Sequence, residues 1–196
     1  MGKRLRRLLQ SDHLAVWETF AAEVGGSWHT PGSGDEYVEI PHPDGPIVIE
    51  KDVTMVMVGQ VMVPVMSTTF TAYRPTASAK RFSVSRADFA TSVAEWFGRL
   101  DIQVDDETFD RAFVLKGDTP DFVRRLFADT TLRTLYLDHF EGSLALKDDK
   151  ALFTDPTPGL DPLELSVSGL VDDLNRLRRL YTLFAATLTR VGQISA

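Results

Sequence analysis

The chain has 196 residues, 43% hydrophobic and 25% charged, with 12 Phe and 3 Trp, which is enough apolar material for one packed body and too much for a disordered chain. A formal charge of -7 and a pI near 5.1 argue against phosphate backbones and anionic lipid as partners. No cysteine is present, which excludes a disulfide framework, a thiolate metal site and a Cys nucleophile, and fits a reducing cytoplasm.

Residues 1-10, MGKRLRRLLQ, form a basic lead without the apolar stretch of a secretory signal. Leu5, Leu8 and Leu9 beside Lys3, Arg4, Arg6 and Arg7 leave peripheral membrane contact through residues 3-9 as a subsidiary reading. Ser11 or Asp12 then caps a helix whose apolar positions Leu14, Trp17, Phe20, Ala21 and Val24 recur at helical spacing and which Gly25 and Gly26 end. The following SWHTPGSGDE reads as an exposed loop, and 37–40 as a short strand.

PHPDGP at 41–46 is turn chemistry, and two long strands follow at 47–58 and 61–73, joined by Gly59 and Gln60 in a type II′ hairpin. In that register Met57 faces Met62 and Val53 faces Met66. The apolar run from Val53 to Met66 falls short of the roughly 20 residues of a spanning helix and is broken by Gly59, Gln60 and Pro64. Four of the five methionines, Met55, Met57, Met62 and Met66, lie on this hairpin, which suits either a sheet buried under helices or an adaptable contact surface; the buried sheet is the favoured expectation. A strand at 80–85 with Phe82 and Val84 on one side leads to a capping box of Ser85 and Asp88 and a helix bearing Phe89, Val93, Trp96, Phe97 and Leu100.

In the second half a strand at 111–116 precedes a helix at Pro120, with Thr119 as N-cap, and strands are expected at 143–147, 151–154 and 163–170. An extended run here places Phe109, Arg111, Phe113 and Leu115 on one face. The last helix, from Asp172, carries a seam of Leu174, Leu177, Tyr181, Phe184, Leu188 and Val191, which packs on the sheet or serves as a dimer seam. The elements together predict an α+β fold, a curved antiparallel sheet with helices packed on one side. The body is a single domain over 11-196, its halves 11-100 and 101-196 repeating the order of elements as a pseudo-duplication.

Chemistry-bearing groupings are sparse. His13, His29, His42 and His139 are scattered with no HxH or HExxH spacing, and the acidic run Asp105, Asp106, Glu107 and Asp110 lacks the alternating ligands and central Gly of a calcium loop, so it reads as a solvated turn. There is no GxxxxGK[ST], GxSxG or SxxK, so no catalytic residue, metal site or cofactor is assigned. Lys116, Gly117 and Thr119, with Asp118 and the helix-start amides, form a candidate anion site, although each residue also has a sufficient structural role as strand, turn or cap.

The central segment LDIxVxDxxFDRxFVxKGD, Leu100 to Asp118, followed by VRRLF and LRTL, resembles a group of uncharacterised bacterial proteins. The first helix with Trp17 and Gly25-Gly26, the segment from Thr71 to Arg74 and the ending from Leu163 to Phe184 are similar to the same group, so the resemblance covers most of the chain. It implies bacterial origin and a soluble, single-piece protein, and carries over no activity, cofactor or catalytic residue. At the hairpin tip, Val56 to Val63, the chain departs from the more polar residues expected of the group.

The functional expectation is a non-enzymatic cytoplasmic protein that binds another protein or itself. Its candidate interaction surface is Met55, Met57, Met62 and Met66 on the hairpin and Leu174, Tyr181 and Leu188 on the last helix. The alternative is a small-ligand binder or enzyme with a pocket between the sheet and its helices.

Overall fold

The computed structural model describes residues 13–30, 36–75, 80–87, 101–147 and 159–195. The basic lead, the helix expected around Phe89 to Leu100 and the strand expected at 151–154 lie outside these residues. In chain order the elements are α1 (His13–Glu23), β1 (Ser27–His29), β2 (Tyr37–Ile40), β3 (Ile47–Val58), β4 (Val61–Pro75), β5 (Phe82–Arg86), α2 (Glu107–Ala112), β6 (Phe113–Gly117), α3 (Pro120–Phe127), α4 (Thr130–His139), β7 (Ser143–Leu146), β8 (Leu160–Ser168) and α5 (Leu174–Ser195).

The eight strands form one open antiparallel sheet in the order β1-β2-β3-β4-β8-β7-β5-β6, so strands from the two halves of the chain interleave. The register aligns one apolar row across its whole width: Trp28, Val38, Ile49, Phe70, Leu165, Leu144, Val84 and Leu115 stand directly opposite one another, strand after strand. Residues paired in this way share a face, so this row and its neighbours two residues along are the floor of the core. The adjacent row, on the other face, is Ser27, Glu39, Val48, Thr71, Glu164, Ala145, Ser83 and Lys116, mostly polar or small.

Helices cover the apolar face. Trp17 of α1 sits edge-on to Trp28 at 6.4 Å and donates its indole N–H to the Val171 carbonyl at 2.8 Å. Phe184 of α5 lies 5.9 Å from Phe70, and Phe122 of α3 lies 6.0 Å from Phe82. Phe109, Phe113, Phe127, Tyr136 and Phe140 pack as one aromatic cluster with ring centroids 4.7 to 6.2 Å apart. The Tyr136 hydroxyl is buried and meets Thr187 Oγ1 at 3.1 Å, while Thr187 donates to the Leu183 carbonyl at 2.9 Å; Tyr136 is therefore the donor in the pair. Burial pushes the Tyr136 phenol far above its ordinary range, because the ionised form would lose its water.

Several local expectations change. Ser27–His29 is a strand rather than loop, because Trp28 gains both a ladder partner in Val38 and a ring partner in Trp17. The segment read as extended through Phe109 and Arg111 is helical to Ala112, and β6 starts only at Phe113. Its cause lies in the acidic run: Asp106 accepts from the Phe109 amide at 3.1 Å as N-cap, and Asp110 accepts from the amides of Val104 and Asp106. These carboxylates are thus local caps, not a solvated turn. Ser85 stands inside β5, opposite Val114 and Ser143, and Asp88, its expected partner in the capping box, lies outside the described residues. Ser83 and Ser85 are buried as well as Phe82 and Val84, so both sides of β5 are covered. After Pro120 the chain forms two helices, the second capped by Asp129, whose carboxylate accepts from the Leu132 amide at 3.1 Å.

Candidate functional site

β3 and β4 outrun their neighbours. Among the described residues β2 pairs with β3 only at 47–50 and β8 pairs with β4 only at 67–75, so residues 51–66 leave the sheet as a two-stranded arm held by their own ladder. The run of Val, Met and Thr favours extended backbone, and the turn follows the register expected, Val58 opposite Val61, Met57 opposite Met62 and Val53 opposite Met66. Gly59 takes φ 64° while Gln60 stays out of the left-handed region, which is the type II′ pattern and splices the twist of the two strands.

Alternation gives the arm two apolar faces. One carries Val53, Met55, Met57, Met62, Pro64 and Met66; the other carries Val56, Val61, Val63 and Val65. The methionines are not buried under helices, contrary to the favoured expectation. Exposure runs from 38% at Val63 to 66% at Met57, and no charged residue occurs between Val53 and Met66. Among the described residues the helices pack on the part of the sheet floored by the apolar rows, and the arm extends past it. The valines of the second face belong to this surface as much as the methionines do; the missing charge was the signal for them.

The last-helix candidates lie elsewhere. Leu188 is buried against the chain's own core, and Leu174 and Tyr181 are half-buried and packed on it, Tyr181 edge-on to Phe20 at 5.4 Å. The seam of α5 turns inward because Phe184, Leu188 and Val191 follow the sheet, so it is not a free docking surface.

The candidate anion site is occupied by structure. Gly117 is required for packing, since a Cβ there would stand 2.9 Å from the Arg81 carbonyl oxygen and 3.0 Å from Val123. Thr119 is the N-cap residue of α3 but its hydroxyl makes no cap bond; it donates to Asp118 at 3.0 Å instead. Pro120 has no amide hydrogen, and the amides of Phe122 and Val123 already bond the Thr119 carbonyl. Lys116 lies on the polar row opposite Ser83.

His42, Asp44 and Thr189 assemble from distant parts of the sequence in an order that imitates a nucleophile, base and acid. His42 Nδ1 accepts the Asp44 amide hydrogen at 3.2 Å, so the ring proton sits on Nε2, which faces Thr189 Oγ1 at 3.3 Å. A protonated Nε2 cannot take the threonine proton. Arg74 holds Asp44 through its carbonyl at 3.2 Å and its carboxylate at 3.4 Å, and the group ties the β2–β3 turn to α5. A shallow hollow of about 330 Å³ beside it is lined by His42, Asp129, Thr189, Arg190 and Gln193; another of about 300 Å³ lies against Lys80, Asp121, Phe122 and Arg125. His29 stacks on Tyr37 at 4.6 Å and approaches Glu39 at 3.5 Å. Among the described residues no three His, Asp or Glu side chains gather to hold a metal ion, and no helix is long and apolar enough to cross a membrane.

No family model, curated protein or solved structure matches the chain.

Proposed function

We propose that the chain is a non-enzymatic protein-interaction domain of the bacterial cytoplasm, and that the arm at 51–66 is its working part. One observation carries this reading: nine Val and Met side chains of the arm stand in water on both faces with no charge among them. Exposed apolar surface of that extent on a folded body marks a docking site. A two-stranded ribbon is marginal in water unless something packs on it, so binding would order and protect the arm. A lipid partner has less support, since a lone hairpin leaves the hydrogen-bonding groups on its outer edges unsatisfied in hydrocarbon. The absence of cysteine favours the cytoplasm.

The small-ligand alternative has less behind it. The space between sheet and helices is filled by the aromatic cluster and by α5, and the two hollows described are shallow and lie at the helix surface.

A photo-activated cross-linking residue placed at Met57 in cells tests the proposal. Covalent adducts with protein are expected from Met57 and not from Thr182, an exposed position on α5. A Met57 probe that captures no protein, self or other, removes the interaction reading.

A further inference from the structure

We infer that the partner is a second copy of this chain, the two arms packing face to face about a two-fold axis; the inference rests on the interaction reading above. Three properties of the arm point to its own copy.

The first is area. A fully exposed Val or Met residue presents on the order of 200 Å², so the five on the methionine face, Val53, Met55, Met57, Met62 and Met66, at 48% to 66% exposure offer roughly 500 Å², and two such faces together bury about 1,000 Å², the lower bound for a specific interface. The arm reaches that size without help from the body of the molecule.

The second is electrostatic. A two-fold interface puts the same patch on both sides, so each residue must tolerate meeting its own kind. The molecule as a whole carries -7, and most of its surface would meet itself with like charges opposed. From Val53 to Met66 there is nothing to repel, and the first charges at the arm's base, Lys51 and Asp52, are exposed and opposite in sign.

The third is shape. The methionine face consists of three cross-strand rows, Val53 with Met66, Met55 with Pro64, and Met57 with Met62. Laid face to face about a two-fold axis, the middle row lies on the axis and each Gly59-Gln60 tip falls over the base of the partner's arm. Methionine side chains adapt to such packing because the thioether chain turns freely.

The test uses the purified full chain. Light scattering at about 100 μM, far above a micromolar dissociation constant, is expected to give twice the 21.8 kDa chain mass. The double variant Met57→Asp with Met62→Asp is expected to give the single-chain mass with an unchanged circular-dichroism spectrum. Because the chain has no cysteine, Met55→Cys provides a unique thiol; with a short bis-maleimide it is expected to cross-link to itself, whereas Thr182→Cys on α5 is not. If the double variant does not fold, the Met55→Cys result decides alone. A wild-type monomer at 100 μM, a double variant that stays dimeric, or a Met55→Cys protein that does not cross-link each overturns the second-copy inference. A monomer whose Met57 probe still captures another protein in cells overturns this inference and leaves the interaction reading standing. A monomer whose probe captures nothing overturns both.

Discussion

Phe113 and Lys116 sit three residues apart on β6 and illustrate how differently neighbouring side chains contribute. Phe113 is buried, touches the rings of Phe109, Tyr136 and Phe140 and carries the Arg86 guanidinium 5.5 Å above its face. Phe113→Ala is expected to cost about 3 to 5 kcal/mol in urea unfolding, since it removes a ring from the middle of a cluster that cannot close around the gap. Lys116 stands half-buried on the polar row with no ion pair among the described contacts, and Lys116→Ala is expected to stay within about 0.5 kcal/mol of wild type. A large loss of stability at Lys116 would show that the candidate anion site does more than the packing of Gly117 and the bonds of Thr119 imply.

At the scale of elements, the segment from Glu107 to Ala112 shows why a pattern can be read in two ways. Phe109 and Phe113 are four apart, a spacing that keeps two rings on one side of a strand and also on one side of a helix. Their rings meet at 4.7 Å, and what selects the helix is the pair of carboxylates, Asp106 and Asp110, which take three backbone amides between them. The break between α3 and α4 has a similar origin, in the Asp129 cap. Where α4 hands over to β7, Gly142 takes φ 86° and a Cβ on it would overlap the Ser166 carbonyl oxygen of β8. Gly142→Ala is therefore expected to cost more than about 2 kcal/mol, from the left-handed backbone together with the displaced strand. Urea unfolding checks this, and a loss below 1 kcal/mol would mean that β7 shifts freely on β8.

The whole molecule is an inner body and an arm. The apolar row from Trp28 to Leu115 and the helices above it include no residue between 53 and 66, so the core closes without the arm. Replacing 53–66 by a two-residue turn is accordingly expected to leave the thermal midpoint of the monomer within a few degrees of wild type, a shift of about 1 kcal/mol or less. Collapse of the body on that deletion would make the arm a structural part and not a docking surface. The core also explains which candidates survive: the seam of α5 packs on the sheet as its lid and is not a dimer seam, whereas the methionines expected under helices stand exposed.

By itself the sequence determined the elements whose signals are local. The first helix and its double glycine, the Gly59-Gln60 turn with its register, the start of α3 at Pro120 and the inward stripe of α5 follow from caps, turns and periodicity that act over a few residues. It determined likewise that the arm is apolar and uncharged. Only the tertiary structure decided whether that surface is covered, because burial depends on how far β2 and β8 extend along β3 and β4, and those ladders join residues as much as 101 positions apart. The same holds for Trp28 in a three-residue strand and for His42 brought against Thr189: each gains its role from a partner that no local spacing can reveal.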